Sequence, residues 1–220
     1  YLRRHGDMVR PDGGSAANEL IVTGGHVGTH VDALAHVSHE GLLHGGIPVE
    51  EAFHNGRFHT HGIDEMKPVI TRGLFLDIPR ARGVDVLAAG EPIETADLHA
   101  ACELIGAEPE PGDAVIIRSG WGRHFDGDHD AYLGQVHGVP GPTASAAQWL
   151  ADRKIVVTGA DSTAYEHIPA GKGHSVLPAH KVLLVDAGIN IIEHMNLEEA
   201  GKRNLGAFLF FLAPLKILGG

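Results

Sequence analysis

The chain has 220 residues, 43% of them hydrophobic and 20% charged, so a packed core is expected and disorder is not. Its formal net charge is -11 and no run of Lys or Arg forms a basic patch, which argues against a nucleic-acid partner. A single cysteine, Cys102, excludes an internal disulfide and a thiolate zinc site, and fits a reducing, cytoplasmic setting.

In chain order, residues 18–24 (NELIVTG) read as a strand leading into a histidine-rich patch. Residues 73–78 (GLFLDI) are a short apolar strand closed by Pro79. TADLHAACELIGA predicts a helix with Thr95 as N-cap, Asp97 in the first turn, Leu98, Cys102 and Ile105 on one face, and Gly106 as the stop. Residues 113–120 (DAVIIRSG) are a buried strand, and TASAAQWLADR a helix capped by Thr143. KIVVTGAD is a strand ending near Asp161, and PAHKVLLVDAG a helix opened by Pro178 and ended by Gly188. INIIEHMNL and GAFLFFLAPLKI are the last strands, the latter holding an apolar run far too short to span a bilayer. No signal peptide is visible, although a chain opening on Tyr1 has room for a trimmed leader. Alternating strands and helices predict one α/β domain over residues 1–220, with a mixed sheet because the first third is poor in helix signals.

The patch GGHVGTHVDALAHVSHEG sets His26, His30, Asp32 and His36 within a few residues of one another, with His39 and His44 nearby. Imidazole and carboxylate suit zinc, manganese or iron(II) where no thiol is present. Every offset among 26, 30, 32 and 36 is even, so a strand puts all four on one face. A straight strand would hold residues 26 and 32 roughly 20 Å apart, so the chain must bend between them, and Gly28 is the residue that permits it. Spacing alone leaves two readings, a metal site or a satisfied polar loop in a chain with 17 histidines.

The segment His26-Val27-Gly28-Thr29-His30-Val31-Asp32-Ala33-Leu34-Ala35-His36 resembles the H-x-G-T-H-x-D-x-P-x-H signature of the cyclase family of metal-dependent hydrolases. That family includes bacterial kynurenine formamidases and isatin hydrolases, and the segments RGLFLDIPR, PGDAVIIRSGW, VTGADS, PAHKVLLVDAGINIIEHMNLEE and FLAPLKILGG follow its order along nearly the whole chain. The resemblance implies a swivelling β/β/α fold, a mixed sheet with flanking helices, assembled as a homodimer or homotetramer. It implies His26, His30 and Asp32 as ligands of a divalent ion, Zn2+ or Mn2+, with Asp32 bridging to a second ion held by His180 and Glu193, and His36 as catalytic acid/base. It also implies an extra strand before residue 1 and a short tail after residue 220. Two positions depart from the pattern: Leu34 replaces the proline, and His194 stands where many members have asparagine.

On their own residues, His180 reads equally as a buried structural histidine beside Leu184 and Ala187. Glu193, after the apolar INII, is a carboxylate whose burial is costly unless it is paired or metal-bound. The expected activity is an amidohydrolase acting on a C–N amide or lactam bond, with metal-activated water as nucleophile and His36 or Glu193 moving the proton. The expected substrate is a small aromatic molecule. Trp121, Phe53, Phe58 and Phe125 are wall or core residues, His137 a substrate contact or a solvated loop residue, and Asp161 a substrate contact or a turn residue. The alternative is a metal-dependent cyclase or lyase, since the same centre serves both. The sequence lacks the G-x-S-x-G elbow of a serine hydrolase.

Overall fold

A computed structural model describes residues 2–220. The centre is a six-stranded mixed sheet. Its strands are β1 (His30–Asp32), β2 (Val69–Asp77), β3 (Ala114–Arg118), β4 (Val157–Ala160), β5 (Asn190–Glu193) and β6 (Ala207–Leu212). They lie in the order β1-β5-β4-β3-β2-β6. The four inner strands run parallel, while β1 and β6 pair antiparallel at the two edges.

The inner strands are near-continuous apolar runs because both faces are covered. Leu76, Val115, Ile117 and Ile191 pack on the helical side, while Phe75, Ala114, Ile116 and Ile192 point to the other. The helical side carries α1 (Ile78–Arg82), α2 (Thr95–Ile105), α4 (Ala144–Asp152) and α5 (Pro178–His180), with a short α3 (His129–Leu133) beyond the strand ends. Leu98, Ala101 and Cys102 of α2 and Ala146, Ala147, Trp149 and Leu150 of α4 fill that core. The opposite face is closed by Leu197 and the short α6 (Glu198–Lys202).

Most sequence-level elements appear, with local differences. Helix α2 starts at Thr95, so Glu94 rather than Thr95 is its N-cap, in a capping box with Asp97. Thr143 caps α4 as expected, its hydroxyl accepting the Ala146 N–H at 3.3 Å. The helix opened by Pro178 changes after His180 into a π-helical stretch, Lys181–Ala187, ended by left-handed Gly188. The expected strand over residues 18–24 is not formed: Leu20, Ile21 and Val22 are 65%, 81% and 86% exposed and pair with no strand. Among the described residues its apolar run has no neighbouring strand, and pairing, not propensity, makes a strand.

Candidate metal centre

The register of β1 on β5 builds the centre. His30 lies opposite Glu193 and Asp32 opposite Ile191, so His30, Asp32 and Glu193 share the sheet face that carries the helices. Residues 25–29 form the bend that the spacing demanded, and β1 starts only at His30. The bend folds His26 back until its Nδ1 is 3.4 Å from Asp32 Oδ1. His180, at the end of α5, comes from the helical layer: its Nε2 is 3.2 Å from Glu193 Oε1 and 3.6 Å from Asp32 Oδ2. His30 Nε2 is 3.2 Å from Asp32 Oδ1 and 3.5 Å from Glu193 Oε2.

These side chains form a buried floor and an open rim. Asp32, His180 and Glu193 are 1%, 2% and 5% exposed, whereas His26 is exposed. The His36 ring sits 4.4 Å from that of His26 and 6.4 Å from that of His180. The tautomers are set from outside. His30 Nδ1 donates to the Gly28 carbonyl at 2.8 Å and His180 Nδ1 to Glu166 Oε2 at 2.7 Å, which turns both Nε2 atoms toward the two carboxylates. Glu166, 1% exposed, also accepts the backbone N–H groups of Ala179 and His180.

His30 Nε2 and both Asp32 oxygens are buried without a hydrogen-bond partner. Buried polar atoms are nearly always satisfied, so this set fits a bound cation. One ligand atom each from His26, His30, Asp32 and Glu193 lie within 4.8 Å of one another, which is the spacing of a shared ion. The electrostatics agree. Burial works against the Asp32 charge, but the imidazoles of His180, His30 and His36 around it outweigh that and hold Asp32 well below the usual carboxylate range. Burial, joined by the Asp32 charge, pushes Glu193 up. Without a cation the pair cannot comfortably carry two negative charges. His36 is held below its ordinary value by burial and the neighbouring imidazoles, with Asp32 only partly offsetting them.

The residues expected at the substrate do not all gather here. Asp161 is fully buried and its two oxygens take the Ser119 N–H and hydroxyl and the Gly120 N–H. It takes the place of a turn residue, holding the chain after β3, and at 0% exposure presents no oxygen at the surface. Trp121 is 5% exposed and donates its indole N–H to the Tyr132 carbonyl at 3.1 Å. With His137 it lines a cavity of about 300 Å³ beside α3, none of whose lining residues belongs to the cluster. Phe53 pairs with Phe58 in a separate two-stranded hairpin, rings 5.0 Å apart. Phe125 alone among the expected aromatics approaches the centre, 6.2 Å from the ring of His194.

Two participants were not foreseen. Glu166, in STAYEHIP, carries no spacing signal, since its link to His180 is made only by the fold. His194 was visible only as a departure from the family pattern. Its ring lies 5.5 Å from that of His30 and its Nδ1 2.9 Å from the Tyr132 hydroxyl. Burial and the His30 and His26 charges pull it down to about 4, so it is a neutral imidazole at neutral pH.

Known proteins share both pattern and fold. The model of the cyclase family, described as "Putative cyclase", matches residues 5–167. An isatin hydrolase from Roseibium aggregatum is 29% identical over 95% of this chain and 73% of its own length. The crystal structure of a novel cyclase superposes with a TM-score of 0.77 at 28% identity, over 87% of this chain. This chain spans only 65% of that protein's length. An isatin hydrolase bound to the product analogue thioisatinate gives a TM-score of 0.62 at 28% identity, over 90% of this chain and 69% of the other. With a matched region covering most of its length and a mixed α/β fold shared with these structures, the chain belongs to the cyclase family of metal-dependent hydrolases.

Proposed function

We propose that this enzyme hydrolyses a C–N amide or lactam bond of a small aromatic substrate on the open side of the cluster. The observation that carries the reading is the convergence of unpartnered buried lone pairs, on Asp32 and His30, beside a rim imidazole, His36. The 29% identity to an isatin hydrolase supports the bond type, since isatin is a bicyclic aromatic lactam.

In this reading His26, His30, Asp32, His180 and Glu193 hold one or two divalent ions, Zn2+ or Mn2+. A bound ion lowers the pKa of water toward neutrality and polarises the scissile carbonyl. Asp32 has one oxygen toward His26 and His30 and the other toward His180, so it would serve as a ligand with either group of residues. Glu166 keeps His180 in the Nδ1–H tautomer. His36, neutral and at the rim, takes the proton of the attacking water and returns it to the leaving nitrogen. Glu193 is a second group able to carry that proton, because burial favours its protonated form. The working assembly is a cytoplasmic homodimer or homotetramer. Leu20, Ile21 and Val22, and Leu209 and Phe211 on the edge strand β6, are exposed apolar surfaces that a second copy would cover. Among the described residues no helix is long and apolar enough to cross a membrane.

The test is elemental analysis followed by a screen of N-formylkynurenine, isatin and related amides and lactams, with products weighed by mass spectrometry. Bound divalent metal and products heavier than substrate by one water are expected. A protein that holds no metal even after loading sinks the reading. Products lighter by one water would instead establish the condensing cyclase.

A further inference from the structure

His194 carries three features that the hydrolytic scheme leaves unused. The first is its backbone, which is left-handed at φ 54°, a conformation that Gly or Asn adopts with less strain. That backbone is tied on both sides: the Thr29 hydroxyl donates to its carbonyl at 2.6 Å, and its N–H donates to the Ser162 carbonyl at 3.1 Å. The turn needs a left-handed residue and has no need of an imidazole.

The second feature is how the ring is held. Its Nδ1 is 2.9 Å from the hydroxyl of Tyr132, which is 1% exposed. Among the described residues that hydroxyl has no other hydrogen-bond partner. A buried phenol has one proton to donate, and His194 Nδ1 is the acceptor that satisfies it. Nδ1 therefore carries the lone pair and the ring proton sits on Nε2. The third feature is position. The ring lies 5.5 Å from that of His30, with Phe125 edge-on at 6.2 Å. Nε2 is on the ring edge away from Tyr132 and makes no hydrogen bond among the described residues.

We propose that His194 is the substrate-orienting donor of this site: its Nε2–H hydrogen-bonds the acyl oxygen of an aromatic acyl substrate bound at the cluster. Tyr132 is the positioning residue that fixes the tautomer, and Phe125 lies alongside as an aromatic wall. The inference rests on the hydrolytic reading above. No proton leaves His194; the donor meets the oxygen on which negative charge gathers during attack, an interaction whose removal costs about 10²–10³-fold in kcat.

Three variants of the whole chain test it. His194→Gly removes the donor and keeps the left-handed backbone. His194→Asn keeps that backbone with a shorter amide donor. Tyr132→Phe keeps the imidazole and frees its tautomer. Three readouts apply: nitrogen-15 NMR of the His194 ring, calorimetric binding of benzoate to metal-loaded protein, and steady-state kinetics on the substrate found in the screen. The wild type is expected to show the Nε2–H form, and Tyr132→Phe a mixture of both forms. His194→Gly should keep its metal content, bind benzoate about tenfold more weakly, and lose about 10²-fold in kcat with KM changed less. His194→Asn should recover part of that loss. The inference is overturned if the wild-type ring carries its proton on Nδ1, or if His194→Gly stays within about twofold of wild type in benzoate affinity and kcat. If the wild type turns over no amide or lactam, the hydrolytic reading fails by itself, and the NMR and benzoate results still decide the role of His194.

Discussion

Two stretches of this chain are dense in histidine, and only one of them meets buried carboxylates. Between His26 and His36 the imidazoles meet two buried carboxylates, Asp32 and Glu193. Between His54 and His61 they meet the backbone. His59 Nε2 lies 3.1 Å from the His54 carbonyl and His61 Nε2 2.9 Å from the His44 carbonyl, while the His54 and His59 rings stack at 3.6 Å. The nearby carboxylate, Glu65, caps the His61 N–H at 2.7 Å. The second stretch is a hairpin outside the main sheet, so no strand opposite delivers an acid to its imidazoles. Histidine density is therefore no signal by itself; the signal is imidazole facing buried, unpartnered carboxylate oxygen.

The contrast breaks most sharply under ligand removal. Asp32→Ala or His30→Ala should abolish stoichiometric metal binding and lower turnover by at least two orders of magnitude, more than the loss typical of an outer-shell change. His54→Ala and His59→Ala should leave metal content and turnover within about twofold of wild type. Elemental analysis and kinetics on the four proteins decide it, and metal loss in the His54 or His59 variant would erase the distinction.

A smaller effect is expected one layer out. Glu166→Gln keeps an acceptor for His180 Nδ1 but removes the charge, and should weaken metal affinity about tenfold, read by chelator competition. Unchanged affinity would mean that Glu166 only anchors the start of α5.

The gentlest probe is pH. Burial opposes the charge on His180, but the carboxylates of Asp32, Glu166 and Glu193 around its ring outweigh it and raise its pKa well above the ordinary value in the metal-free protein. The folded-state pKa is raised, so the protonated ring stabilises the metal-free protein at low pH, and that contribution fades as pH rises through the folded value. At neutral pH a binding cation must displace this proton. Calorimetry in buffers of different ionisation enthalpy should show about one proton released, with affinity climbing up to tenfold per pH unit below the folded pKa. In Glu166→Gln the release should shrink, because one of the interactions raising that pKa is weakened.

Much of the fold was legible because it rests on local patterns. The apolar strands, the Thr143 cap and the stops at Gly106 and Gly188 came from residues within a few positions of one another. Residues 18–24 show the limit of such reading, since a β-prone run without a partner remains exposed coil. In the centre, the bend between 26 and 32 and the shared face of 30 and 32 were legible, whereas the strand ends at Asp32, so parity does not place His26, in the bend, or His36, beyond the strand. Glu166, Tyr132 and His194 were not legible, because each acts through a partner far away in the chain.

What the sequence by itself determined is the donor set and its parity: which imidazoles and carboxylates exist, and that the first stretch must fold back on itself. What only the tertiary structure decided is the register that lays His30 opposite Glu193, and the helix start that brings His180 down beside them. The physical reason is that parity is a property of one strand, whereas a metal site is a property of the pairing between strands. A slip of one residue in that pairing would turn Glu193 to the other face and leave His30 and Asp32 facing no second carboxylate.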